Sequence, residues 1–163
     1  MSWCNRRFIL LSGLAMLAGC GFAPAYGPGG AGAALMGRVA VEAPDTRASY
    51  LLTQEIETRL GRPANPRYGL TPVVTLNTQA MAINRNNVAS RFNLLGSVAY
   101  SLRDLETGAV VTSGQVASFT GYSATGTTVA VQAAERDAEA RLMVILADQL
   151  LIRLLAADLP QPE

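Results

Sequence analysis

The chain has 163 residues, a formal net charge of +1, no histidine, two cysteines and 13 basic residues, all of them arginine. That length holds one domain with a real core, and the near-neutral charge excludes the strongly basic footprint of a nucleic-acid binder. Without histidine, Ser-His-Asp and Cys-His catalysis and most zinc sites fall away, and no glycine-rich phosphate loop is followed by lysine.

The N-terminus reads as a lipoprotein signal. Arg6 and Arg7 form a positive start, and Phe8 to Ala18 is an apolar run of 11 residues. Such a run suits a secretory signal and is too short to span a bilayer, which takes roughly 20 residues. It ends in Leu17-Ala18-Gly19-Cys20, which resembles a lipobox. Residues 1–19 are therefore expected to be removed, and Cys20 to become the acylated first residue. Removing 19 of 163 residues leaves 144, and the loss of Arg6 and Arg7 takes the charge from +1 to −1. Cys4 leaves with the signal, so no disulfide and no catalytic or metal-binding thiol is expected. The covalent lipid on Cys20 is the one attached group expected, with no cofactor. Gly21, where Asp would favour inner-membrane retention, implies the outer membrane. Residues 20–34 carry Pro24, Pro28 and glycines 27, 29, 30 and 32 and read as a flexible tether. The folded domain is expected over 35–158, with a tail at 159–163.

Within that domain, Leu35 to Val41 is a short strand expectation, followed by Asp45 as helix N-cap. Residues 47–60 carry Ala48, Leu52, Ile56 and Leu60 at helical spacing, and Gly61 and Pro63 end the helix. "RPANPRYG" is a loop, residues 71–83 a strand and 84–87 a turn. Residues 91–103 alternate: Phe92, Leu94, Gly96, Val98, Tyr100 and Leu102 share one face. Arg91, Asn93, Ser97, Ser101 and Arg103 share the other, with Leu95 and Ala99 as apolar exceptions. "DLETG" is a hairpin turn, and 109–122 is a noisier strand.

Residues 127–157 form the longest helix. Ala133, Ala140, Val144, Ala147, Leu151 and Leu154 make one stripe, while Leu142, Ile145, Leu146 and Ile152 lie opposite. A helix apolar on two sides needs cover on two sides. One cover is the sheet. The other is either the first helix or a partner protein, in which case Leu142, Leu146 and Ile152 are its contacts. The acidic groups Glu55/Glu57 and Glu135/Asp137/Glu139 fall on helices as solvated faces. The fold class is α+β, in the order β-α-β-β-β-α: two helices on one face of a roughly four-stranded, mostly antiparallel sheet. The other face is left open and polar.

The opening "LAGCGFAPAYG", this element order, "GSVAYSLRDLETGAVVTSG" and the ending "AERDAEARLMVILADQLLIRLLA" together resemble the LptE family of lipopolysaccharide-assembly lipoproteins. The resemblance covers nearly all of the mature chain. It implies a non-enzymatic outer-membrane lipoprotein on the periplasmic side. Its role would be plug and folding partner of the LptD β-barrel in lipopolysaccharide transport to the surface. It also implies basic residues at one end of the sheet that meet lipopolysaccharide, here Arg91 and Arg85, since guanidinium binds phosphate in bidentate fashion. The other reading of the same anchor and fold is an auxiliary lipoprotein of another envelope lipid transporter, which would need an enclosed apolar pocket.

Overall fold

The computed structural model describes residues 30–83 and 89–157. Its elements are α1 (Ala31–Leu35), β1 (Val39–Val41), α2 (Arg47–Leu60), β2 (Tyr68–Ile83), β3 (Ala89–Asp104), β4 (Val110–Ser123) and α3 (Thr128–Leu155). The strands lie in the order β1-β2-β3-β4. β1 runs parallel to β2, and the other two pairings are antiparallel. The α+β architecture is the expected one, with α1 added in front of it.

α1 corrects the expectation that tether extends to residue 34 and strand begins at Leu35. One glycine, Gly32, lies in an otherwise alanine-rich turn. Its helix cost of about 1 kcal/mol is outweighed by burying Leu35, worth about 1.5–3 kcal/mol. Gly37 then takes a positive φ of 64°, and its N–H donates to Leu60 O at 2.7 Å. The chain leaving α1 thus caps the last turn of α2.

α2 has the expected span, and the stripe Ala48, Leu52, Ile56 and Leu60 is buried. Its N-cap is Thr46, one residue beyond the expected Asp45. Thr46 Oγ1 accepts the Ser49 N–H at 3.1 Å, and Ser49 Oγ accepts the Thr46 N–H at 2.9 Å. This is a capping box in which serine replaces the usual Glu or Gln. Asp45 instead accepts from the Ser49 hydroxyl.

β3 alternates as expected, with Leu94, Val98, Tyr100 and Leu102 buried beneath the helices. The β3–β4 turn is held by Asp104. Its carboxylate accepts the Thr107 N–H at 3.1 Å and the Glu106 N–H at 2.9 Å, and Arg67 Nε lies 3.4 Å away. The Thr107 N–H, with Glu106 and Arg67 behind it, holds this carboxyl below the usual range against the opposing cost of burial.

α3 packs across β3 and β4 and beside α2. Ion pairs Arg47–Glu139 and Arg59–Asp148 tie early α2 to mid α3 and late α2 to later α3, so the two helices run the same way. Its underside rests on a spot where the continuous sheet carries no side chain, at Gly96. A side chain at Gly96 would place Cβ 2.9 Å from Leu142 Cδ2 and 3.1 Å from Leu146 Cδ1. Glycine there lets both leucines reach the sheet. Together the sheet and α2 cover Leu142 and Leu146 as well as part of the expected stripe, while Ile152 on the expected second side stays exposed. Of the expected stripe, Ala147, Leu151 and Leu154 are buried, Ala140 and Val144 are half-buried, and Ala133 is exposed.

Candidate interaction surface

The face of the sheet away from the helices is built by strand parity. In register across β2, β3 and β4 lie Val73–Ala99–Gln115, Thr75–Ser97–Ala117, Asn77–Leu95–Phe119 and Gln79–Asn93–Gly121. Strands β2 and β4 contain no charged residue, and the acid of β3, Asp104, lies on the opposite, buried face. The open face therefore carries arginines, Arg91 and Arg103, and no carboxylate. Phe119 is 62 % exposed, and Leu95, directly opposite it, is also exposed, as is Val73 two rows along on β2. The face is thus less polar than expected. Depletion of charge around an aromatic anchor is the composition of a protein–protein contact centre.

Arg91 begins the open face at one end of the sheet. It is exposed and pairs in register with Ser123. With Ser90, Gly121, Tyr122, Ser123 and Thr125 it lines an open cleft of about 360 Å³. No carboxylate forms an ion pair with it among the described residues. On the opposite face the Phe92 and Tyr122 rings stack at 5.5 Å and 17°. Burial, aided by Glu135, pushes the Tyr122 hydroxyl above its ordinary value. The guanidinium and neighbouring hydroxyls could meet an anionic oxygen in this cleft. Arg85 and Cys20 lie outside the described residues, so Arg91 is placed without its expected companion.

The expected partner contacts on α3 separate. Leu142 and Leu146 are fully buried beneath α3, against Gly96, so they are core and not a docking surface. The reason is the opening at Gly96, into which both side chains fit. Ile152 is 64 % exposed, beside Gln149, Arg153 and the 115–117 segment of β4. Among the described residues no cluster of three metal-capable side chains occurs.

Solved structures with this fold include several bacterial lipoproteins. One described as a lipoprotein of Caulobacter crescentus is 27 % identical with TM-score 0.62, covering 77 % of this chain and 92 % of its own. The minor lipoprotein of Acinetobacter baumannii is 16 % identical with TM-score 0.57, covering 78 % and 96 %. Rare lipoprotein B of Shewanella oneidensis is 10 % identical with TM-score 0.56, covering 72 % and 91 %. At those identities the last two show the fold alone. A search of curated proteins gave no match. The LptE family model, described as lipopolysaccharide-assembly, matches residues 36–154. The chain belongs to the LptE family.

Proposed function

We propose that the protein is an outer-membrane lipoprotein, anchored through Cys20 on the periplasmic side, that helps an LptD-type β-barrel fold and then plugs its lumen. In that position it assists the last step of lipopolysaccharide delivery to the surface. The observation that carries this reading is the family match over 36–154. The charge-poor sheet face, with Phe119 exposed on the edge strand β4 and Leu95 opposite it on β3, supports it, because a plug needs uncharged contact patches against specific walls. Arg91 and Arg85 are the proposed contacts for lipopolysaccharide phosphates. The role contains no catalytic step.

Depletion of the lipoprotein tests this reading. The amount of correctly folded barrel in the outer membrane is expected to fall, with a parallel loss of surface lipopolysaccharide. Unchanged folded barrel and normal surface lipopolysaccharide in depleted cells would overturn it.

A further inference from the structure

β2 is 16 residues long, yet β1 pairs with its first three residues alone. Past Leu70 the outer edge of β2 has no strand beside it among the described residues. The Tyr68 N–H donates to Arg38 O, and Leu70 O accepts from the Glu42 N–H. Main-chain groups at these alternate positions therefore face outward, and Pro72, Val74, Leu76 and Thr78 continue the series. Exposed edges are usually blunted by charges, proline or bulges. Here Pro72 lacks one N–H, and irregularities come between Ala80 and Ile83. Between those devices the groups of Val74, Leu76 and Thr78 stay open, and β2 has no charged side chain.

A cleft of about 350 Å³ flanks the start of this edge, lined by Glu42–Thr46, Ser49, Thr53 and Thr71–Val74. Thr53 is 9 % exposed, and its hydroxyl has no hydrogen-bond partner. Glu42 and Asp45 are exposed and form no ion pair among the described residues. We propose that an extended segment of the barrel partner adds to the sheet along Val74–Thr78, in line with β1, and sets a basic side chain against Glu42 and Asp45. This rests on the function proposed above. The mode is strand addition, in which main-chain hydrogen bonds supply affinity and flanking side chains supply specificity. Charge selects the occupant. A second copy of this chain would bring an uncharged β2 edge and leave both carboxylates unmatched, whereas a basic segment neutralises them.

Val74→Pro removes an outward N–H and spares the β2–β3 ladder, as Pro72 already does. Glu42→Lys reverses the charge at an exposed site. Each variant of the full-length tagged lipoprotein is purified from detergent-solubilised envelopes, and the co-purified barrel is measured alongside its own melting temperature. Val74→Pro is expected to lower the recovered barrel about tenfold at unchanged melting temperature, through lost edge hydrogen bonds. Glu42→Lys is expected to lower it about threefold, with the loss fading at high salt. Wild-type recovery with a folded Val74→Pro overturns the edge assignment and leaves the functional reading intact. If Val74→Pro melts early, undiminished recovery with Glu42→Lys overturns it instead. If the wild-type protein itself recovers no barrel, both the functional reading and this inference fail.

Discussion

Leu146→Asp is expected to unfold the domain, and Ile152→Asp to leave it folded. The two stand about 120° apart around α3, and the sheet separates their fates: Leu146 joins Ala147, Leu151 and Leu154 in the core, and Ile152 does not. Leu146 is 0 % exposed and presses into the opening at Gly96, beside Leu76 and Leu142. An aspartate there loses the leucine's packing and places a carboxylate with no partner in the core. The combined cost of about 4 kcal/mol or more consumes much of a stability that is ordinarily about 5–15 kcal/mol. Ile152 faces solvent, so its change should stay within about 0.5 kcal/mol. Circular dichroism melting of the two variants checks this. A folded Leu146→Asp with native melting temperature would contradict the packing of α3 on the sheet.

Cys20→Ala is expected to move the protein from the membrane fraction to the soluble periplasmic fraction almost completely. Each buried methylene of an acyl chain contributes about 0.8 kcal/mol, and more than one chain gives firm anchorage. No described helix is long and apolar enough to cross the bilayer in its place. The measurement is fractionation of cells that make the variant in excess of the barrel, so that partner binding cannot retain it. A variant still in the membrane pellet would remove the lipobox from the account.

Where sequence and structure agree, local chemistry was sufficient. α2 spans residues 47–60 because its stripe, Gly61 and Pro63 agree on one helix, and β3 could be read because every second side chain is buried. The misses have local reasons of a different kind. Asp45 and Thr46 are both good caps, and the choice fell to Thr46 through its reciprocal bonds with Ser49. Glycine and proline in the preceding segment masked α1, whose helix depends on burying Leu35 in the distant core. Leu142 and Leu146 could not be told from a docking surface, because apolar spacing states that a side needs cover and not what supplies it. The cover depends on Gly96, some 46 residues earlier in the chain.

The candidate surface was legible in part. Arg91, Asn93, Ser97 and Ser101 were assigned to the open face from the alternation in β3. Phe119 was missed because β4 alternates poorly, with Gly114 and Ser118 on its buried side. Counting by twos from buried Val116 would have turned Phe119 outward. The free edge of β2 was invisible, since it follows from pairing lengths: three residues of β1 against 16 of β2. Pairing between strands far apart in sequence is not written in either strand alone.

The central claim, a barrel plug and assembly partner, is tested most directly by purifying the tagged full-length lipoprotein from detergent-solubilised envelopes and identifying what accompanies it by mass spectrometry. The account predicts one large outer-membrane β-barrel of the LptD type, at one copy per lipoprotein. Recovery of the lipoprotein alone, or with inner-membrane transporter subunits in place of a barrel, would contradict it.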